Sequence, residues 1–302
     1  MRRITLPLEE LDFELCVTSG QVFRFQRVER GGRQVWLGAD GGNVIEAERT
    51  PEGWAVCSRP DASAVERFLR LDVSLAEVSR RVLEIEPSLA PFVARFPGLR
   101  TLRQARAEET LFSFLCTVNN NLARIHRLVR SLGAFGEELE PGVFDFPPPE
   151  RIADVGELRL REMGFGYRAR TLVAVAQELA LRPTGWLQAL SEGEYEHAVS
   201  ALCELPGVGR KVADCVCLFG LGFDEAVPVD THLWRVSVER YFPQWRGGSL
   251  TDKRYRAVGD HFRQRFGRLA GFAHEFLFYD SVTRVERRSA RGRKQPPGAR
   301  AR

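Results

Sequence analysis

The chain has 302 residues, 44% hydrophobic and 28% charged, enough to bury one large core or several smaller ones. Its net charge is +4 and its isoelectric point about 8.8, which permits an anionic partner without demanding one. No apolar run approaches the roughly 20 residues of a membrane span, and the acidic Glu9, Glu10 and Asp12 come too early for a secretory leader.

The first sixty residues predict antiparallel strands. Over 22–28, Phe23 and Phe25 alternate with Arg24 and Gln26, the period of a half-buried strand. Strands over 33–37, 43–48 and 54–58 follow, separated by Gly31-Gly32, Gly41-Gly42 and Pro51-Glu52-Gly53, which suit hairpin turns. From Asp61 the apolar period becomes helical. Beyond residue 100 nearly every segment predicts helix: 108–118, with Leu111, Phe114, Leu115 and Val118 on one stripe, then 121–132, 155–163, 168–181, 194–204, 210–221, 231–241, 253–266 and 269–284. The segment 140–149 holds four prolines and predicts an irregular loop. Residues 284–302 carry eight basic residues, one acid and few apolar ones, which predicts a disordered tail weakly attracted to phosphate. The expected architecture is α+β. An N-terminal antiparallel sheet domain with flanking helices (1–100) packs on a larger helical region of two lobes (101–284), with a site between the lobes and a basic tail (285–302).

Six cysteines, Cys16, Cys57, Cys116, Cys203, Cys215 and Cys217, form no Cys-x-x-Cys pair and no grouping suited to zinc or an iron–sulfur cluster. They read as reduced thiols of a cytoplasmic protein without a cofactor.

Lys211 is one of only three lysines among 44 basic residues. A lysine kept where arginine is the default cation points to an amine that must lose its proton, which arginine cannot do. It follows the turn Leu205-Pro206-Gly207-Val208-Gly209-Arg210, which joins two expected helices into a helix–hairpin–helix. Glycines let such a turn adopt positive φ and approach another backbone closely, and the unsatisfied N–H groups opening the second helix suit phosphate. A tight connection between packed helices is the plainer reading of the turn. For Lys211 the plainer reading is a side chain that snorkels to solvent. Asp230, in Val227-Pro228-Val229-Asp230-Thr231-His232, opens a helix and suits an N-cap, a role compatible with catalysis because a capping carboxylate is held rigidly.

The run Leu205 to Cys215 with Val227 to His232 resembles the helix–hairpin–helix glycosylase superfamily, and within it the 8-oxoguanine DNA glycosylases with associated lyase activity. Thr18-Ser19-Gly20-Gln21-Val22-Phe23-Arg24, Val118-Asn119-Asn120-Asn121-Leu122-Ala123-Arg124 and Gly164-Phe165-Gly166-Tyr167-Arg168-Ala169-Arg170 resemble family motifs in the same order. The resemblance covers most of residues 1–284. It implies that double-stranded DNA containing an oxidised purine, 8-oxoguanine opposite cytosine, is the substrate of a monomer acting on chromosomal DNA. The lesion would be flipped out of the duplex. Asp230 would stabilise the developing oxocarbenium charge while Lys211 attacks C1′, forms an imine and supports β-elimination. The Gly20 carbonyl would accept the N7–H that distinguishes 8-oxoguanine from guanine, and Cys215 and Phe278 would sandwich the base.

By the same resemblance Asn119, Arg124, Tyr167 and Arg168 would fill the gap and read the estranged cytosine, Gly207 and Gly209 would approach the backbone, and His232 would contact a phosphate. A structural cation, monovalent or hydrated, would sit at carbonyls of Cys203, Leu205 and Val208. His274 stands where the family pattern has glutamine, which puts base preference or its pH dependence in question. The rival readings are a glycosylase for another damaged purine, such as an alkylated one, and a non-enzymatic DNA-binding module. Lys211 argues against the first, and the second needs neither Lys211 nor Asp230.

Overall fold

Apolar alternation broken by glycine pairs produces a five-stranded antiparallel sheet in the computed structural model, which describes residues 2–293 and side chains as far as residue 284. The strands are β1 (Ile4–Leu6), β2 (Gln26–Arg30), β3 (Arg33–Asp40), β4 (Asn43–Thr50) and β5 (Gly53–Arg59), in spatial order β1-β5-β4-β3-β2. Hairpins set the register, with Val35 opposite Glu48 and Ala47 opposite Val56, and β1 closes one edge with Ile4 opposite Val56. A short hairpin, β6 (Glu138–Glu140) and β7 (Val143–Phe144), overlaps the start of the proline-rich segment. Its Val143 packs with Leu37, Ala39 and Val44, covering a face of the sheet.

The expected strand over 22–28 begins only at Gln26. Val22, Phe23, Arg24 and Phe25 are all buried, so Arg24 does not point outward. Its Nε and Nη2 each donate to the Glu109 carboxylate at 2.6 Å, and its Nη1 donates to the Phe144 carbonyl at 2.5 Å. The segment runs through the interior between sheet and helices, where a guanidinium is tolerated only when carboxylate and carbonyl oxygens take up its donors.

The helices are α1 (Phe13–Thr18), α2 (Ala64–Phe68), α3 (Leu75–Ile85), α4 (Ala90–Val93), α5 (Ala107–Leu115), α6 (Leu122–Gly133), α7 (Pro149–Glu162), α8 (Arg168–Ala180), α9 (Trp186–Ala189), α10 (Tyr195–Cys203), α11 (Arg210–Val216), α12 (Thr231–Arg240), α13 (Asp252–Phe266) and α14 (Ala270–Arg293). The helix expected over 210–221 is α11 followed by a wider π turn, Cys217–Leu221. The last helix continues beyond residue 284 through a run rich in arginine with Glu286 and Ala290, good helix formers that need no apolar face to extend an existing helix. Of the tail expected at 285–302, residues 294–302 lie outside the described residues.

Two apolar cores organise the chain. One draws on residues 107–226 together with Phe23. The other combines residues 11–102 with 227–277, so that Ile45, Val56 and Phe68 share a core with Val229, Phe262 and Phe276. The sheet region therefore does not close its core alone; the C-terminal helices complete it. The cores are joined by buried ion pairs, Arg24 with Glu109 and Arg70 with Asp224.

Glu109→Ala would strand the buried Arg24 guanidinium and should cost roughly 3–5 kcal/mol in urea denaturation. Arg24→Met combined with Glu109→Leu should recover most of that loss. Additive losses in the double variant would show that the pair is not coupled.

Candidate active site

The hairpin between α10 and α11 is anchored by its apolar residues: Leu202, Leu205, Val208 and Val212 are buried while Pro206, Gly207 and Gly209 stay exposed. Gly207 has φ +71°, and a Cβ there would lie 2.7 Å from Thr171 Cγ2, so both conformation and space exclude a side chain. Gly209 differs from the sequence expectation. It is extended (φ −92°, ψ 170°) as the N-cap of α11, and a Cβ there meets nothing, so its effect is to leave the helix start uncovered.

Lys211, in the first turn of α11, is half-buried. Its Nζ lies 4.8 Å from the centre of the Phe114 ring and donates to Thr117 Oγ1 at 3.2 Å. No salt bridge within 4.0 Å involves it among the described residues. The amine is thus held by an aromatic face and a hydroxyl rather than neutralised by a carboxylate. Asp230 caps α12, and its Oδ1 accepts the N–H groups of His232 and Leu233, both at 2.9 Å. These bonds fix the carboxylate at the positive end of the helix.

Both residues line one cavity of about 670 Å³. One side comes from α5, the hairpin and α11; the other from Ser19–Gln21, Pro228–His232 and α14. Gly20, Asn119, Gly207, Gly209, Cys215, His232, His274 and Phe278 also line it. Gly20 has φ +100°, yet a Cβ there would come no closer than 3.8 Å to its nearest neighbour, Leu122 Cδ1, so conformation rather than crowding calls for glycine. Phe278 is half-buried, with its ring nearly parallel to that of His274 (5.7 Å between centres, 17°) and edge-on to His232 (6.0 Å).

Burial shifts three further groups of the wall, Cys215, His274 and Glu275. It pushes the Cys215 thiol up to about 12, against the nearby Lys211 charge. It pushes the His274 imidazole down to about 4, opposed by the Asp230 charge and by carbonyls of Gly271 and Pro228. It pushes the Glu275 carboxyl up to about 8; Ser19 opposes this and the Asp230 charge adds to it. At neutral pH the imidazole is uncharged and the Glu275 carboxyl mostly protonated.

Arg124, Tyr167 and Arg168 lie outside this wall, grouped beside Val118 and Asn119. Tyr167 is 55% exposed and donates its hydroxyl to the Val118 carbonyl at 3.1 Å. Arg168 is neither surface charge nor a free reader: it is 4% exposed, and its donors reach the carbonyls of Val118 (3.0 Å) and Asn119 (2.8 Å). Those carbonyls lie beyond the end of α5, where Asn119 turns at φ +48°, and the guanidinium supplies the partners that helix would have given. Arg124 donates to the Gly164 carbonyl at 2.8 Å. Asn119 itself is exposed.

Thr117, Phe114 and Glu275 belong to the site and escaped the sequence reading. Glu275 had a signal: a lone carboxylate inside Gly271-Phe272-Ala273-His274-Glu275-Phe276-Leu277-Phe278, a run too apolar for a solvated face. Thr117 had none. Among the described residues no group of three or more His, Cys, Asp or Glu could hold a metal ion. Of the hairpin carbonyls expected to hold a cation, that of Leu205 accepts the Val208 N–H at 3.1 Å.

Residues 3–110 match the family model for the 8-oxoguanine DNA glycosylase N-terminal domain, and residues 112–258 match that for the HhH-GPD superfamily of base-excision DNA repair proteins. The chain is 35% identical to the N-glycosylase/DNA lyase OGG1 of Arabidopsis thaliana, over 91% of this chain and 78% of that protein. It is 36% identical to an N-glycosylase/DNA lyase of Saccharomyces cerevisiae, over 75% and 68%. The fold is similar to that of a Clostridium acetobutylicum 8-oxoguanine glycosylase/lyase solved with double-stranded DNA containing cytosine opposite 8-oxoguanine. The TM-score is 0.78 at 24% identity, covering 91% of this chain and 93% of that one. With the two models matched in order over residues 3–258, and relatives at 35% and 36% identity, the chain belongs to the 8-oxoguanine DNA glycosylases of the helix–hairpin–helix superfamily, N-glycosylases with DNA lyase activity.

Proposed function

We propose that Lys211 and Asp230 are the catalytic pair of this glycosylase/lyase, and that the cavity between the two cores receives an 8-oxoguanine nucleotide turned out of duplex DNA. The observation that carries this reading is a lysine amine and a helix-capping carboxylate on the wall of one cavity, with no salt bridge to cancel either (among the described residues). A base inside a duplex is out of reach, so the nucleotide must leave the stack. The free-base amine of Lys211 then donates its lone pair to C1′ as the bond from C1′ to the base nitrogen breaks and its electrons leave with the base. Asp230 opposes the positive charge that grows on the sugar, and its two cap bonds hold it there without reorganisation. Loss of a proton and opening of the sugar ring give an imine, whose protonated form takes up the C2′–H electron pair as C2′ loses its proton; that pair then forms the C2′–C3′ double bond as the 3′ phosphate leaves with the electrons of the C3′–O bond.

In the same proposal base recognition falls to the wall, as the resemblance implies. The Gly20 carbonyl accepts N7–H, Cys215 and Phe278 cover the two faces of the base, and neutral His274 meets its pairing edge. Asn119 and Tyr167 are the exposed members of the rim and enter the gap in the duplex, with Arg124 and Arg168 bracing the loops behind them. Those two arginines reach an estranged cytosine only by exchanging their present carbonyl partners. Gly207, Gly209 and His232 face the DNA backbone. A cation at the carbonyls of Cys203, Leu205 and Val208 would be structural. The protein acts as a monomer on double-stranded DNA.

Borohydride should trap a covalent adduct with a duplex containing 8-oxoguanine opposite cytosine, and Lys211→Gln should abolish it while duplex affinity stays within a few-fold. An adduct that survives in Lys211→Gln would move the nucleophile elsewhere. Asp230→Asn should lower single-turnover excision by about 10²–10³, the scale of losing one transition-state electrostatic contact, with little change in DNA affinity; equal losses in both would reduce Asp230 to a cap.

His274 supplies a pH test. Between its ordinary value of 6.5 and about 4 the unfolded chain binds a proton that the folded chain does not. The stability due to the neutral imidazole is therefore complete above 6.5 and falls as pH drops through that window. His274→Gln should flatten this part of the stability profile in urea titrations at stepped pH; an unchanged slope would show that His274 takes up its proton normally.

A further inference from the structure

A buried polar chain outside the proposed catalytic pair meets the backbone beside each member of it. Asp214 lies one turn beyond Lys211 on α11 and is 1% exposed. Its Oδ1 accepts the hydroxyl of Tyr195, on α10, and its Oδ2 accepts that of Tyr255, on α13, both at 2.5 Å. Tyr255 is 8% exposed, and its oxygen also accepts the N–H of Val229 at 3.2 Å. Val229 is the residue immediately before Asp230. The connection therefore runs from the helix of Lys211, through a carboxylate and a phenol, to the peptide adjoining Asp230.

This chain crosses the division between the cores. The α11 neighbours of Asp214, Ala213 and Cys215, lie in one core; Tyr255 and Val229 lie in the other. Apolar surfaces are non-directional and tolerate small slides, whereas hydrogen bonds to a charged oxygen are short and fix both distance and angle. The two hydroxyls are what make a carboxylate acceptable there: burial pushes Asp214 up to about 6, and both tyrosines oppose it. Tyr195 and Tyr255 bond Asp214 at the same length but do different things. Tyr195 ties α11 back to its own hairpin partner and accepts from Arg263 Nη1, which is also on α13, at 3.1 Å, but makes no bond to the peptide beside Asp230. Only Tyr255 continues to the segment that carries Asp230.

We propose that Asp214 and Tyr255 are positioning residues that hold the amine-bearing helix in register with the carboxylate-bearing helix start, so that Lys211 and Asp230 address the same sugar. This rests on Lys211 and Asp230 being the catalytic pair.

The test uses the full-length protein with a duplex holding 8-oxoguanine opposite cytosine. Single-turnover borohydride trapping, duplex affinity by fluorescence anisotropy and melting temperature are measured for wild type, Tyr255→Phe and Tyr195→Phe. Each variant loses one hydroxyl from the same carboxylate, so a merely structural role predicts similar effects. Tyr255→Phe should slow trapping about tenfold, within the range expected for misplacement of reacting groups by less than 1 Å, with affinity unchanged. Tyr195→Phe should trap at nearly the wild-type rate even where its melting temperature drops as far. Asp214→Asn, which keeps the shape and one acceptor, should slow trapping severalfold at unchanged affinity, and it provides the measurement if Tyr255→Phe does not fold. Wild-type trapping by Tyr255→Phe, or equal slowing by both tyrosine variants, would overturn the proposal while leaving the catalytic pair intact. A wild-type protein without an adduct, or an adduct that persists in Lys211→Gln, would instead remove the pair and the positioning role with it.

Discussion

The structure depends on two apolar cores that meet without merging. The middle of the chain builds one, and its two ends build the other. Hydrophobic burial drives each core but is indifferent to how one sits against the next. The seam is instead fixed by polar groups that tolerate burial only when matched: Arg24 with Glu109, Arg70 with Asp224, and Asp214 with Tyr255. Breaking such a match leaves an unpaired buried group, so the seam resists sliding more strongly than apolar contact would. The cavity opens along this seam, with Lys211 supplied from one side and Asp230 from the other.

Within the cavity the environment separates the titratable groups by role. Burial holds His274 and Cys215 uncharged and favours the protonated Glu275 at neutral pH. The Asp230 carboxyl group is half-exposed and accepts two backbone N–H groups. In the proposed mechanism Cys215, His274 and Glu275 therefore add no anion to compete with Asp230 for the positive charge of the sugar. Lys211, resting on Phe114 and Thr117, keeps its amine accessible from the same space.

Near the cavity the structure separates buried support from exposed side chains. Arg168 spends its donors on carbonyls left open beyond α5, and so shapes the turn that exposes Asn119, while Tyr167, just before α8, is exposed beside it. A buried guanidinium is tolerated where carbonyl oxygens take up its donors, and these bonds make the loop an extension of the scaffold. The hairpin divides its labour similarly: Leu205 and Val208 anchor it while Gly207 and Gly209 keep its outer surface low.

The α+β architecture, most helices, the helix–hairpin–helix and the placing of Lys211 in the first turn of a helix and of Asp230 at an N-cap were legible from the chain, because periodicity, caps and glycine turns are local properties written within a few residues. Arg24 was misread for the converse reason: alternation reports a strand only where one face meets water, and here both sides are interior. The division at residue 100 likewise hid that residues 227–277 complete the core of the sheet, since sequence distance carries no record of which apolar faces meet. Glu275 left a faint mark as a carboxylate in an apolar run, whereas Thr117 and the Asp214–Tyr255 link left none. The sequence by itself determined the chemical groups and the elements that bear them. Only the tertiary structure decided which groups face one another, because the distances that matter for an amine, a carboxylate and a sugar are set by packing between segments far apart in the chain.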